Sequence, residues 1–256
     1  MLEDLYAGAA EDAERRRSKV SISQLEAEIA RRRPPIDALK ALQPRDRVHV
    51  LAEIKRSSPS KGRLATIEDA PALAGIYEKH GASAISVLTE ERKFKGSLVD
   101  LEQVRDVVSV PLLRKDFISN EYQLLEARAY GADIFLLIVA GLDRATLANL
   151  KAFGEDLGMT AFVETHSGEE LKIASDLGAQ LIGVNARDLT TFETDRNLFA
   201  RLVDDFPSGA IKVAESAVRE ATDVIAYRTA GADVVLVGEA LVTGDPATRL
   251  DEFLNA

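Results

Sequence analysis

Eight short apolar runs lie along this chain, and seven of them finish on a charged or hydrogen-bonding side chain. The runs cover residues 48–55, 84–90, 111–116, 134–139, 160–165, 181–185, 211–216 and 234–239, with a helix-like stretch in each gap. Continuous Val, Ile and Leu are typical of parallel strands that are buried on both faces. Polar residues at the carboxyl ends of such strands are typical of the functional face of a TIM barrel. The pattern therefore predicts an α/β fold, a (β/α)8 barrel.

A glycine–alanine pair precedes every second run. The pairs lie at 81–82, 131–132, 178–179 and 231–232. Glycine just past a helix end accepts the left-handed conformation that stops the helix. The interval of roughly 50 residues indicates a repeat of two β/α units. Because any α/β protein can use this turn chemistry, an open doubly wound sheet remains the alternative to a closed barrel.

Composition limits the classes of function. The 256 residues suit one barrel, whose usual size is about 250 residues. The absence of cysteine excludes disulfides, thiolate metal sites and thiol catalysis and suits a reducing compartment. Three distant histidines argue against a histidine metal site or a Ser-His-Asp triad, and a net charge of −10 argues against general nucleic-acid binding. With no membrane-length apolar run and no secretory signal expected, we predict a cytoplasmic protein.

The amino-terminal residues predict an added helical element. Leu2, Leu5, Tyr6 and Ala9 recur at helical spacing, and the same spacing returns within residues 22–29. We expect residues 1–47 to form a helical extension packed on the barrel, and residues 48–256 to form the barrel itself. An arginine run at 31–33 closes the helical stretch, and we interpret it as a solvated helix end.

Two basic loops are expected on the functional face. Residues 56–63, after the first run, are rich in Ser, Pro and Gly and carry cationic side chains. A loop of this composition can serve as a mobile lid, although an ordinary surface loop would look similar. Residues 91–97, after the second run, form another loop of this kind.

Charged side chains at the ends of the runs form a candidate catalytic set. Glu53 and Lys55 are two residues apart on one strand, so both face the same side. The other members are Lys115, Glu164, Asn185, Glu215 and Ser216. Lysines and glutamates that share a pocket shift one another's pKa values, which suits acid–base catalysis. Each residue alone could instead belong to an ion pair inside the barrel.

A phosphate site is expected after the seventh and eighth strands. Gly238 follows an apolar tetrapeptide and precedes a short segment at 239–243. Glycine lets backbone N–H groups approach an anion, and these two loops commonly bind phosphate in barrels of this class.

These residues, in this order, resemble the indole-3-glycerol phosphate synthase family along nearly the whole chain. The segments that carry the resemblance are AEIKRSSPSKG (52–62), SVLTEERKFKGS (86–97), PLLRKDFI (111–118), FVETH (162–166), IGVNARDL (182–189), VAESAV (213–218) and VLVGEALV (235–242). The resemblance implies an indole-forming ring closure of 1-(2-carboxyphenylamino)-1-deoxyribulose 5-phosphate with loss of CO₂ and water. It also implies no metal and no organic cofactor.

The resemblance further implies a role for each polar residue. Lys115 would be the general acid for ring closure, and Glu164 a base or a stabiliser of the cationic ring nitrogen. Lys55 would bind the substrate carboxylate and can donate the proton for dehydration. Glu53, Asn185 and Glu215 would orient the lysines and the sugar hydroxyls, with Ser216 beside them.

The remaining implied contacts are with the ends of the substrate. Ser58 and the loops with Ser216, Ala217, Gly238 and Glu239 would hold them. Phe94, Phe117 and Leu189 would wall the aromatic ring, and Arg187 would be a further contact.

Two of these positions depart from the expected motif. Ala217 stands where we expect glycine, and a residue with a Cβ atom rarely adopts a positive φ. The phosphate contact there therefore depends on a negative φ. Glu239 stands where a small residue is expected, and we expect its side chain to turn away from the anion.

Two other hypotheses stay open at this stage. A lysine Schiff-base aldolase or a sugar-phosphate isomerase on the same fold could use Lys115 and Glu164. A barrel without activity could retain the pocket and only bind a ligand. In each case the expected partner is a small anionic phosphate compound, not nucleic acid or a membrane, and we expect a monomer.

Overall fold

Eight parallel strands close into a barrel in the computed structural model, which describes residues 2–188, 191 and 193–256. The strands are β1 (His49–Ile54), β2 (Ala84–Leu88), β3 (Leu112–Lys115), β4 (Ile134–Ile138), β5 (Thr160–Thr165), β6 (Leu181–Asn185), β7 (Ile211–Glu215) and β8 (Val234–Val237). Each pairs with its neighbour in sequence, and Val50 of β1 lies opposite Val235 of β8. This last pairing confirms the closed barrel and excludes the open sheet.

Helices precede the barrel and connect its strands. Their bounds are α1 (Leu2–Arg17), α2 (Ile22–Ile29), α3 (Ala38–Ala41), α4 (Ala70–Lys79), α5 (Leu98–Val107), α6 (Glu121–Ala129), α7 (Arg144–Asp156), α8 (Gly168–Asp176), α9 (Leu198–Leu202), α10 (Ala221–Thr229), α11 (Glu239–Val242) and α12 (Pro246–Leu254). Short 3₁₀ turns cover Val139–Gly141 and Val203–Asp205, and a two-stranded hairpin joins Ser57–Ser58 to Gly62–Arg63. Within the described ranges, every helix is too short or too polar to cross a membrane.

The helix boundaries follow local sequence signals. Asp69, Ser97 and Asn120 each cap the start of a helix by accepting a hydrogen bond from a backbone N–H three residues later. At the other end, the glycines of the four repeated pairs have φ between 67° and 97°, so the left-handed helix stop is confirmed. The repeated glycine–alanine pair therefore marks the turn from helix to strand in every second β/α unit.

Alternation along the strands divides the apolar residues into two separate clusters. Val50 and Ala52 face the surrounding helices, where they join a large shell cluster. Leu51 faces the barrel axis and packs with Leu113, Phe162 and other axial residues. Because both faces of every strand are buried, the strands appear in the sequence as continuous apolar runs.

The amino-terminal helix α1 packs over the carboxyl ends of the strands. Leu5, Tyr6 and Ala9 belong to the same cluster as the axial residues, and the ring of Tyr6 meets that of Phe117 edge-on at 5.6 Å. Charged contacts fasten the helix at its far end, where Arg16 Nε lies 2.6 Å from the buried carboxylate of Glu126. The apolar face of the extension is thus used to cover the barrel mouth.

The third helix closes the opposite end of the barrel. Ala38 and Leu42 are fully buried and join the axial cluster. Just before them, the N–H of Ile36 donates a 2.7 Å hydrogen bond to Asp133, directly ahead of β4. The extension therefore contacts both ends of the barrel, and the boundary at residue 47 stays a prediction.

The interpretation of the arginine run as a solvated helix end is wrong for Arg32. Its guanidinium donates to the carbonyl of Ala129 at 2.8 Å and to the carboxylate of Glu102 at 2.5 Å. Arg31 fits the interpretation better, because it is exposed and its contact is with Glu28 on the preceding helix α2. The sequence could not show that the run turns back onto helices of the barrel.

We expect Leu42→Ala to lower the free energy of unfolding by about 2–5 kcal/mol, the usual cost of removing a fully buried leucine. Denaturation in urea measures this change. Lys40→Ala, at an exposed position in the same short helix, is the control and should change stability by less than about 0.5 kcal/mol. Equal stability of Leu42→Ala and the unaltered protein would contradict the role of Leu42 in closing this end of the barrel.

Candidate active site

A cavity of about 190 Å³ opens at the carboxyl ends of the strands. Fourteen sequence-predicted site residues line it: Glu53, Lys55, Ser58, Phe94, Lys115, Phe117, Glu164, Asn185, Arg187, Glu215, Ser216, Ala217, Gly238 and Glu239. The fifteenth, Leu189, lies outside the described residues. The structure thus brings the described candidates into one space, although cavity lining does not by itself test their roles.

Strand alternation and register place the ionisable groups. Lys115 and Glu164 each follow an axial residue by two positions, so their side chains also point toward the axis. Glu164 lies beside Gly183 in the β5–β6 register, and Asn185 lies beside Glu215 in the β6–β7 register. The polar side chains therefore form a layer directly above the apolar axial residues.

Two glycines make room for the carboxylates in this layer. A Cβ atom at Gly183 would lie 2.2 Å from Oε1 of Glu215, and one at Gly238 would lie 2.3 Å from Oε1 of Glu53. No side chain can be accommodated that closely without displacing the carboxylate. Gly238 therefore has a packing role in addition to any contact with an anion.

Lys115 lies between two buried carboxylates. Its Nζ is 3.1 Å from Oε2 of Glu164 and 3.6 Å from Oε2 of Glu215. The amide of Asn185 donates to the other oxygen of Glu164 at 3.0 Å, and Ser216 donates to Oδ1 of Asn185 at 2.7 Å. Each group in the network thus restricts the orientation of the next.

The protonation states of this network follow from burial and charge. Burial disfavours the charge on Lys115, but Glu164, Glu215 and Glu53 outweigh it and raise the lysine pKa. Burial alone would raise the pKa of Glu164, but Lys115 and His166 more than reverse this effect and lower it. For Glu215, burial and the neighbouring charge of Glu164 raise the pKa well above its usual range. We infer a charged lysine and an ionised Glu164 near neutral pH, beside a Glu215 that holds a proton more readily than an ordinary glutamate.

His166 completes the surroundings of Glu164 and is absent from the predicted site. Its Nε2 lies 3.3 Å from Oε1 of Glu164, and its Nδ1 lies 3.2 Å from Oε2 of Glu170. Burial opposes the imidazolium charge, but these two glutamates raise the pKa of His166 to about 10. The period of two along a strand could have identified this residue, because His166 follows Glu164 by two positions.

Lys55 is a second lysine of the cavity. Its Nζ lies 2.5 Å from Oε1 of Glu53, and 19% of its side chain is exposed, against 4% for Glu53. As predicted from their spacing of two residues, the side chains of Glu53 and Lys55 lie on the same side. Lys55 can therefore reach a ligand in the cavity while Glu53 fixes it from below.

Aromatic rings form one wall of the cavity. Phe94 and Phe117 have ring centroids 6.0 Å apart. The buried carboxylate of Glu90 accepts the backbone N–H groups of Lys93 and Phe94, both at 2.7 Å. The loop at 91–97 is thereby shaped around Glu90, which presents Phe94 to the cavity.

The loop after β7 contains the main departure from expectation. Ser216 and Ala217 both adopt a positive φ, 68° and 63° respectively. The negative φ on which we made the phosphate contact depend is not observed, because Ala217 takes the left-handed conformation that glycine would take; the contact itself stays a prediction. A left-handed alanine costs roughly 1–2 kcal/mol, a strain that glycine would avoid.

The loop after β8 begins the short helix α11, with Gly238 at its amino end. The carboxylate of Glu239 contacts Nζ of Lys61, which lies on the basic loop after β1. This ion pair therefore compensates the negative charge of Glu239, whatever the position of the expected anion.

The basic loop after β1 contains the short hairpin and is anchored by Arg56, which contacts Asp100 at 2.6 Å and 3.0 Å. Its mobility as a lid stays a prediction.

Two further cations near the opening were missed. Arg196 and Arg219 line the cavity, and Arg196 also lies 2.7 Å from Asp223. Both are outside the strands, where no periodicity predicts the direction of a side chain. Leu5 of the extension also lines the cavity, so the mouth includes residues from the amino-terminal helix.

The closed barrel and its charged, partly aromatic mouth define a (β/α)8-barrel enzyme for a small anionic substrate. A family model described as indole-3-glycerol phosphate synthase matches residues 2–253. The chain belongs to the indole-3-glycerol phosphate synthase family.

Individual relatives agree with this assignment. The indole-3-glycerol phosphate synthase of Leifsonia xyli subsp. xyli is 61% identical over 253 residues, covering 99% of this chain and 97% of that protein. The one of Parafrankia sp. is 52% identical over 256 residues, covering 100% and 95%. Among solved structures, the N-acetylmannosamine-6-phosphate 2-epimerase of Clostridium perfringens superimposes with a TM-score of 0.62 at 15% identity, covering 81% of this chain and 91% of that one. At that identity the likeness supports the fold alone.

We expect the stabilising effect of His166 to depend on pH. A histidine whose pKa rises to about 10 on folding stabilises the protein fully below its ordinary value of about 6.5. That contribution is lost as the pH rises from about 6.5 to 10. His166→Gln should therefore cost about 1–3 kcal/mol of unfolding free energy at pH 6 and less at pH 10.

Urea denaturation at the two pH values measures the difference. His80→Gln, which removes a partly exposed histidine beside Asp251, is the matched control. A cost for His166→Gln that grows from pH 6 to pH 10 would contradict the assigned charge.

Proposed function

We propose that the mouth cavity performs the ring closure of this family with Lys115 as its central proton donor. The reaction converts 1-(2-carboxyphenylamino)-1-deoxyribulose 5-phosphate to indole-3-glycerol phosphate, CO₂ and water in tryptophan biosynthesis. The observation that carries the residue assignment is the position of Lys115, charged and held between Glu164 and Glu215 in the cavity. A proton donor fixed in this way needs little reorganisation when the substrate binds.

Ring closure requires a proton on the carbonyl oxygen of the substrate. The aromatic carbon that bears the carboxylate attacks the carbonyl carbon, and the new hydroxyl takes its proton from Lys115. The electron pair for the new bond comes from the amine nitrogen through the ring, which leaves an iminium cation. Lys115 is suited to this step because its carboxylate neighbours keep it protonated, so the donor is present at neutral pH.

Glu164 is placed to stabilise the cation that ring closure creates. Its pKa is lowered, so it is a carboxylate at neutral pH, and Asn185 fixes one of its oxygens. The iminium accepts the electrons that are released when CO₂ leaves, so no separate electron acceptor is required. A fixed negative charge close to the nitrogen lowers the energy of this intermediate.

Lys55 is assigned to the substrate carboxylate and to dehydration. Its partial exposure and its contact with Glu53 suit a cation that meets the ligand while staying fixed. After decarboxylation, which restores the benzene ring, the hydroxyl leaves as water with a proton from Lys55. The carbon next to the nitrogen then loses its proton to Glu164, which completes the aromatic indole. Glu215, whose Oε2 lies 3.6 Å from Nζ of Lys115, is placed to orient that lysine and a sugar hydroxyl.

The ends of the substrate require an apolar slot and an anion site. Phe94 and Phe117 provide ring faces for the aromatic end. For the phosphate end we propose Ser58, Ser216 and the backbone at Gly238, with Ala217, Arg187 and Glu239 at the rim. Support comes from the free amino end of α11 and from the left-handed backbone after β7, since both can present N–H groups to an anion.

We also propose that a single chain is the working unit. Every group used in this mechanism lies on one chain, which supports a monomer. Membership in a biosynthetic family supports a cytoplasmic location. A turnover assay that follows indole fluorescence tests the whole proposal, and an inactive but ligand-binding protein would favour the binding-only hypothesis.

We expect Lys115→Gln to lower kcat by about 10²–10⁴, the usual contribution of a positioned general acid. Affinity for a substrate analogue should stay within about tenfold, because the phosphate and aromatic contacts remain. Lys172→Gln, at an exposed site on α8, is the control for removing a lysine. Turnover within threefold of the unaltered enzyme, an outcome on the order of 0.7 kcal/mol, would show that Lys115 is not the essential acid.

Lys55→Ala should weaken analogue binding as well as turnover, since Lys55 is assigned to the substrate carboxylate. Losing one charged contact predicts a loss of about tenfold or more in affinity. Calorimetric titration with the analogue measures it. An analogue that lacks the carboxylate should bind both proteins equally, and undiminished affinity for the carboxylated analogue would remove the assignment.

We expect Gly238→Val to raise KM by about tenfold or more through loss of charge-assisted hydrogen bonds to phosphate. Inorganic phosphate should compete with substrate in the unaltered enzyme but not in this variant. Because the new side chain would also push against Glu53, Glu53→Gln is the control and should retain phosphate competition. Ala217→Gly should change KM less. Equal inhibition of Gly238→Val by phosphate would contradict the assigned anion site.

A further inference from the structure

A second cavity, of about 450 Å³, lies at the amino-terminal face of the barrel, away from the mouth. Five arginines line it: Arg31, Arg32, Arg33, Arg105 and Arg128. We call it the arginine cavity. Its place in the fold follows from Asp133, another lining residue, which directly precedes β4. The ring-closure chemistry at the opposite face leaves this cavity without a role.

Two parts of the chain meet around the arginine cavity. Residues 31–33 follow α2 in the amino-terminal extension, while Arg105 and Arg128 lie in the last turns of α5 and α6. Gly131 permits the close approach, because a Cβ atom there would lie 2.6 Å from Cγ of Arg105. The cavity is therefore built by docking of the extension and does not belong to either part alone.

The positive charge of the lining exceeds the negative charge. Five arginines face two aspartates, Asp106 and Asp133. Two glutamates outside the lining, Glu28 and Glu102, pair with Arg31 and Arg32, which leaves one positive charge in excess. Asp133 is already occupied, because it accepts from the N–H groups of Ile36 and Leu112 and from Arg105. Its capacity to neutralise further cations is small.

Two buried guanidinium groups lack full partners. Arg105 is only 8% exposed, and its Nε has no hydrogen-bond partner in the described part of the chain. Arg128 is 5% exposed and donates to the carbonyl of Arg33, but no carboxylate of the described residues lies within 4.0 Å of it. Carbonyl oxygens satisfy a donor but bring no net charge. Burial lowers the pKa of both arginines despite Asp133, as expected for under-compensated cations.

We propose that the arginine cavity is a second anion-binding site that takes a phosphate-bearing small molecule. Arginine is the residue best suited to phosphate, because its planar fork donates two hydrogen bonds to one oxyanion. The volume falls within the range of about 300–1,000 Å³ typical of small-molecule sites, so there is room for more than the phosphate group. A bound phosphate group would supply a charged partner to Arg33, Arg105 and Arg128 and would join the extension to the barrel.

Titration calorimetry with pyrophosphate tests the proposal on the full-length protein. The variant Arg33→Ser/Arg128→Gln removes two cations that have no carboxylate partner within ion-pair distance in the described structure. Arg33→Ser alone changes an exposed side chain and keeps the test valid if the double variant does not fold. Arg144→Ser, at an exposed arginine on α7, is the matched control.

We expect the double variant to lose one class of pyrophosphate sites, and Arg33→Ser to weaken that class by about tenfold. Binding at the mouth should remain, and turnover should be unchanged in both variants. If the proposed phosphate site at the mouth is wrong, the unaltered protein has one class and the double variant none, so the two proposals fail separately. Isotherms of the variants that match the unaltered protein would overturn the arginine cavity.

Crystals soaked in selenate locate the sites directly, because selenium scatters anomalously and selenate is a tetrahedral dianion. We expect an anomalous peak among Arg33, Arg105 and Arg128 in the unaltered protein and none there in the double variant. An arginine cavity without a peak, in crystals whose mouth carries one, would overturn the proposal.

Discussion

Closure of the barrel is the constraint on which the rest of the structure depends. Once β1 pairs with β8, every second residue of eight strands must point toward one narrow axis. The lower axial positions hold Leu51, Phe162 and similar residues, whose close packing excludes water. Any charged residue at the next axial position is therefore held close to other charged residues. The chemistry at the mouth follows from this crowding.

The crowded layer places a lysine between two glutamates whose pKa values shift in opposite directions. Lys115 lies between Glu164 and Glu215, and the raised pKa of Glu215 reflects the cost of placing two neighbouring carboxylates in a buried site. His166 supports the ionised member from the outside. The glycines at 183 and 238 provide the space in which this arrangement fits. In the proposed mechanism, the carboxylate and carbonyl of the substrate displace contacts that already satisfy the lysines, so positioning and proton transfer are coupled.

Sequence predicts best what repeats along the chain. The period of two and the continuous apolar runs gave the strands to within two residues and brought Glu53, Lys115 and Glu164 to one mouth. Local chemistry could also have placed the break between α1 and α2, since Ser21 and Gln24 form a capping box. Contacts made by loops were missed, including Lys61 with Glu239 and Arg32 with Glu102, because no local rule fixes partners that are distant in sequence. The left-handed Ala217 belongs to the same group, since surrounding contacts there override the preference of the residue.

The pairing of the first strand with the last has a consequence for how the chain is made. During synthesis β1 emerges early, yet its partner β8 comes near the carboxyl end. Until β8 arrives, the growing sheet has two open edges, and unpaired edges are the surfaces through which strands associate with other chains. The extension emerges earlier still, and residues such as Leu42 can pack against all of their axial neighbours only when the barrel is closed. Synthesis of the last strand therefore determines when the extension and the first strand can reach their final packing.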